Sequence, residues 1–110
     1  MANTFTRKLS QNIGTTATAI GAYTVAANTT AVVVGLTMTN NTGSAITANV
    51  WLNDGAANTF VTANAPISSG ASLVAVGGDQ KLVMVTGDKI YVQSSAASSV
   101  DAILSILEIT

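Results

Sequence analysis

Five carboxylates, Asp54, Asp79, Asp88, Asp101 and Glu108, are the side chains of this sequence best suited to acid–base or metal chemistry. They are scattered singly. Asp54, Asp79 and Asp88 each adjoin a glycine in a stretch that reads as a turn, where aspartate is favoured because it bonds nearby backbone N–H groups. None stands in the D-x-D-x-D-G spacing that wraps calcium. The chain has no histidine and no cysteine, so acid–base work near neutrality would fall to a carboxylate whose environment raises its pKa, and there is no thiolate nucleophile and no Cys/His zinc cage. A serine or threonine nucleophile would need a base beside it. A glycosidase-like carboxylate pair is compatible with the composition, but no spacing supports it. The residues predict no enzyme, no cofactor and no metal, and point to a structural or binding protein.

Binding chemistry has better candidates. In 46–52, alternation puts Ile46, Ala48, Val50 and Leu52 inward and leaves Trp51 on the opposite face beside Thr47 and Asn49. An outward tryptophan on a polar face is an interface anchor or a sugar-stacking platform, unless a segment of its own chain covers it. Tyr91 alternates away from Ile90 and Val92 in the same way. Near the start, Phe5, Arg7 and Leu9 line one side of an alternating stretch, and Thr6, Lys8 and Ser10 line the other. We take Phe5, Arg7, Lys8, Leu9, Trp51 and Tyr91 as the candidate contact residues.

Surface composition supports the same reading. Of 110 residues 48% are hydrophobic and only 8% charged, against about 25% charged in an ordinary soluble domain. Disordered chains show the reverse bias. Between Leu9 and Asn53 there is no charged residue at all. A surface of Thr, Ser, Asn, Gly and Ala desolvates cheaply at contacts, which suits a subunit packed among neighbours. The net charge of −1 excludes a basic nucleic-acid footprint. No apolar run is long enough to span a bilayer as a helix. Arg7-Lys8 is not followed by the apolar core of a signal peptide, so synthesis in the cytoplasm is expected. The sequons at Asn28 and Asn40 read as turns, and without cysteine the fold is indifferent to redox compartment.

These residues require β-structure to position them. β-branched residues punctuated by Gly, Asn and Ser predict about eight short strands and no helix. Thr30–Asn40 is the strongest, with Val32, Val34, Leu36 and Met38 facing inward. Ile20–Val25 is a short candidate strand. Asn40–Ser44 and Asn53-Asp54-Gly55 carry hairpin chemistry. Val100–Ile109 is apolar on both faces, so it belongs in the centre of a sheet or under another subunit. The expected fold is all-β, a single-domain antiparallel β-sandwich or jelly roll over 19–110, with 1–18 as an N-terminal arm or edge segment. Val32, Val34, Leu36, Ile46, Val50 and Ile90 are the expected core.

The order of the segments carries a resemblance. Tyr23-Thr24-Val25-Ala26-Ala27-Asn28-Thr29 precedes an apolar strand. Asn40-Asn41-Thr42-Gly43-Ser44-Ala45 follows it, then Gly87-Asp88-Lys89-Ile90-Tyr91-Val92-Gln93-Ser94, and the close Leu107-Glu108-Ile109. From about Ala19 to Thr110 this resembles small β-sandwich virion proteins of tailed bacteriophages, which usually read YTVPANT, N-x-T-G-S-A, GD-x-I-x-V-x-S and a terminal x-E-I. Ala26 stands where that pattern usually has proline, which leaves the turn less rigid. The resemblance implies a capsid decoration or cement protein on the outside of the head, in contact with the major capsid protein or other virion proteins. It also implies a homo-oligomer, a trimer being favoured by capsid three-fold sites. A tail, neck or fibre component is the alternative, and a carbohydrate-binding module for host attachment a further one.

Overall fold

In the computed structural model, which describes residues 2–77 and 79–110, the chain forms nine strands in two antiparallel sheets. The first sheet sets β1 (Asn3–Ile13), β9 (Val100–Ile109) and β3 (Thr30–Asn40) side by side. β6 (Ser72–Val76) and β7 (Leu82–Met84) then share the remaining side of β3, one after the other. The second sheet runs β2 (Thr18–Ala19), β8 (Lys89–Ser94), β4 (Ile46–Asn53), β5 (Asn58–Ile67). β9, apolar on both faces, is central as expected, paired along its length with β1 and β3.

The core lies between the sheets. Leu36, Met38, Leu104 and Ile106 from the first sheet meet Ala48, Val50, Ile90 and Val92 from the second, all buried. Leu36, Ile46, Val50 and Ile90 are core residues, as alternation predicts. Val32 and Val34 are not. Val33 pairs with Ile106 and Gly35 with Ser105, so β3 carries an extra residue at Val34. Such a bulge reverses the inside–outside alternation. Before it Ala31 and Val33 are buried, after it Leu36 and Met38, and Val32 and Val34 are left only partly buried, on the outer side.

Two local expectations are also corrected. Asn40–Ser44 is an arch rather than a hairpin, because β3 and β4 lie in different sheets. Asn40 is buried in it, its Nδ2 donating to the Ser44 and Ile67 carbonyls at 2.8 and 3.0 Å. Its Oδ1 accepts from the Thr42 N–H at 2.9 Å, so this asparagine satisfies the backbone where the chain changes sheet. Ile20–Val25 is not a strand: Ile20–Ala22 forms a 3₁₀ turn. Gly21 takes φ +59° there, and a Cβ would come within 2.8 Å of Lys8 Cβ, so only glycine fits against β1. By contrast, Asn53 pairs with Asn58 across a true β4–β5 hairpin.

Candidate functional site

The outer face of the first sheet is an unusual surface for a free protein. On β1, Thr6, Lys8 and Ser10 sit opposite the buried Ile106, Leu104 and Ala102 of β9. Phe5 and Leu9 therefore point outward, 76% and 45% exposed. An edge strand of a solitary sandwich should turn its apolar side inward. Here the apolar side faces solvent and meets matching residues across the strands. Phe5 lies beside Leu107, which pairs with Val32, which pairs with Val83. Leu9 lies beside Ile103, then Thr37, then Val74. Ile103, Val74 and Val83 are each at least half exposed. Between these two apolar rows run Arg7, Ser105 and Gly35. A depression of about 210 Å³ opens beside Leu9, Gln11, Asp101 and Ile103.

Trp51 and Tyr91 belong to the opposite side of the molecule. They are direct partners on β4 and β8, with ring centroids 5.9 Å apart and planes 18° from parallel. Phe60, the partner of Trp51 on β5, completes the row edge-on at 5.6 Å. Trp51 is consequently only 9% exposed, while Phe60 remains 56% exposed. A sugar platform needs an open ring face. The faces of Trp51 are occupied by its two neighbours, and the row stands among Asn53, Asn58 and Lys89, one register step away.

The six candidate contact residues thus divide three ways. Phe5, Arg7 and Leu9 lie on the first outer face, and Trp51 and Tyr91 on the second. Lys8 points into the gap between the sheets, its Nζ 5.2 Å from the centre of the Tyr23 ring. The Tyr23 hydroxyl donates to Glu108 Oε2 at 2.7 Å. Burial, then that carboxylate, push the Tyr23 hydroxyl well above its ordinary range, so it stays a donor. The turn aspartates serve the backbone. Asp54 Oδ1 accepts from Ala57 and Ala56 N–H at 2.8 and 2.9 Å, which hold its carboxyl below the usual range. Asp88 Oδ2 accepts from Val85 N–H at 2.9 Å. Among the described residues no group of three or more acidic side chains gathers into a metal cage.

Phe60 was legible from the hairpin. Once Asn53 pairs with Asn58, counting outward places Phe60 opposite Trp51. The outer roles of Val32 and Val34 were not legible, because a bulge leaves no residue signature beyond Gly35.

No protein-family model and no curated protein sequence matches the chain. Solved structures show the fold. The chain is similar over its whole length to a subunit of Bacillus endospore appendages, described as disulfide-linked pili, with 16% identity, 91% of that chain and a TM-score of 0.56. It is similar to a chain of the T13 infectious bursal disease virus particle with a TM-score of 0.59 and 12% identity over 96% of its length. It spans only 30% of that viral chain. The nucleoplasmin-like N-terminal domain of Drosophila FKBP39 matches over 98% of this chain and 91% of its own, with 14% identity and a TM-score of 0.51. The neighbours of this sandwich therefore include a virus particle and a pilus.

Proposed function

We propose that the chain is a virion structural protein, a capsid decoration or cement subunit that binds the outside of a phage head and stabilises the shell. One observation carries the proposal: a sandwich poor in charge leaves apolar side chains exposed on both faces, Phe5, Leu9, Ile103, Val74 and Val83 on the first and Phe60 on the second. A protein that bridges shell subunits needs two contact surfaces, and a catalyst needs neither. The likeness to a chain of a viral particle supports the reading, as does the order of the sequence motifs. A cement protein binds the assembled lattice and not its dissociated parts, and so stabilises the shell by mass action. In this role it has no reaction, cofactor or nucleic acid to handle, and it resides on the virion surface.

A fibre, neck or tail component is the second reading, favoured by the full-length likeness to a pilus subunit. That pilus is described as disulfide-linked. Without cysteine, a polymer of this chain would rest on its faces alone. Sugar binding is disfavoured by the covered faces of Trp51. Electron microscopy of purified particles carrying the gold-labelled protein tests the proposal. Label over the whole shell is expected. Label at a single vertex selects the tail reading, and particles without label overturn both.

A further inference from the structure

We infer that the outer face of the first sheet is covered by the same face of a second copy, related by a two-fold axis that lies in the interface and runs along the strands between β9 and β3. The inference deepens the proposed assembly role by naming the partner of one face.

The row structure carries it. A two-fold along the strands keeps every row at its own height and reverses the strand order across the sheet. β1 then lies over β6 and β7 of the partner copy, and β9 over β3. Phe5 meets Val83 and Leu107 meets Val32, apolar on apolar. Leu9 meets Val74, and Ile103 meets the methyl-bearing Thr37. In the intervening row Ser105 faces Gly35, which has no side chain in the way. In the same row Arg7 comes over the partner's chain just beyond Val76, the end of β6. One row further on, Asp101 meets Thr39, already hydrogen-bonded to Ser72 at 2.9 Å, polar on polar. An axis across the strands at the level of Arg7 would instead set Arg7 against its own copy.

Size agrees. Four strands about 4.8 Å apart and about 30 Å long give a face of roughly 570 Å² before side-chain relief. That approaches the ~800 Å² per partner of a standard interface. Association would be isologous and closed, and so would stop at the pair, not at the trimer that the resemblance implies.

Sedimentation of the purified chain, with no particle present, tests the pairing. The wild type should sediment as a dimer at micromolar concentration. Leu9→Glu and Val74→Lys should each fold with an unchanged circular dichroism spectrum. Each should dimerise at least about 100-fold more weakly, because its homodimer buries an unpaired charge twice. Mixing the two should restore a dimer, since Leu9 of one copy opposes Val74 of the other and the glutamate then meets the lysine. Phe5→Glu with Val83→Lys repeats the test in the other apolar row, at exposed positions where the single fold has little to lose. A monomeric or trimeric wild type, folded variants that dimerise as the wild type does, or variants that fail to pair on mixing would each overturn the inference. The shell-labelling experiment is independent of all of these, so failure of the pairing and failure of the virion role are separately visible.

Discussion

The two outer faces present apolar side chains for different physical reasons. On the second sheet the row of Tyr91, Trp51 and Phe60 packs largely against itself: Trp51 is 9% exposed because its neighbours cover it. On the first sheet Phe5 is 76% exposed, with its apolar neighbours beside it in the plane of the face and none above. Outward orientation therefore does not mean availability. The aromatic row contributes to the stability of the single chain, whereas the aliphatic face has most of its burial still to gain. Area explains the contrast, since a large ring reaches its cross-strand partners while a valine or leucine leaves its top open.

The largest expected effect tests which side of β3 is outside. Val33→Asp puts an unpaired charge into the core, which costs several kcal/mol against a total stability of roughly 5–15, and should leave the chain unfolded. Val34→Asp, one residue away at the bulge, should fold. Urea melts followed by circular dichroism decide it, and equal damage from both substitutions would remove the bulge and the outer face built on it.

Next in size, Trp51→Ala should destabilise the single chain by about 3 kcal/mol, the low end for truncating a packed tryptophan. Phe60→Ala should cost nearer 1 kcal/mol. Phe5→Ala should leave the monomer within about 0.5 kcal/mol of the wild type and weaken self-association instead. If Trp51→Ala melts like the wild type and only Phe5→Ala destabilises the monomer, the contrast between the faces is inverted.

Much of this was legible in the sequence. Alternation placed Phe5, Arg7 and Leu9 together, set Lys8 apart from them, and put Trp51 and Tyr91 away from the core. It also marked β9 as central in a sheet or covered by another subunit, because a strand apolar on both sides cannot face solvent on either. The failures share a cause. Alternation is a local rule, and neither a bulge nor a change of sheet is local. Val34 reads like any strand valine until its pairing with β9 is known. Asn40–Ser44 has the composition of a hairpin but passes from one sheet to the other, which only the partners of β3 and β4 reveal. Seeing that the aliphatic face is broad required the lateral order β1, β9, β3 and then β6 with β7, and four segments so far apart in sequence carry no local sign of it.

Two pH-linked effects come from the groups that hold each face in register. Tyr23 stands behind the first face, tying the 3₁₀ turn to Glu108 of β9 while Lys8 of β1 lies over its ring. Its hydroxyl pKa is raised in the folded state, so the native protein holds that proton more tightly than the unfolded chain does. The stabilisation is fully present below the ordinary tyrosine value of about 10 and is lost as pH climbs above it toward the folded value. Melting temperature should therefore fall across that alkaline range, and Tyr23→Phe should flatten the decline while lowering stability at neutral pH by about 1 kcal/mol through the lost hydrogen bond. An unchanged alkaline slope in the variant would detach Tyr23 from the first face.

Asp54 plays the corresponding part for the second face, with the opposite sign. Its carboxylate closes the β4–β5 turn by accepting from Ala57 and Ala56, and that turn sets the register that brings Phe60 to Trp51. Those two N–H groups favour the charged form, so the folded pKa lies below the ordinary aspartate value. The contribution is present above that value of about 3.9 and disappears as pH falls through the folded pKa. The carboxylate is fully solvated, so the effect is the smallest of the series. The chain carries one tryptophan, which makes Trp51 emission a private reporter of the row. In acid titrations the wild type should lose melting temperature below the aspartate range, and its Trp51 emission should move as the hairpin loosens. Asp54→Ala should start from a slightly lower melting temperature and lose that part of the acid dependence. An Asp54→Ala protein that keeps both the wild-type acid slope and the wild-type emission would show that strand pairing alone holds the aromatic row, with the turn contributing nothing to it.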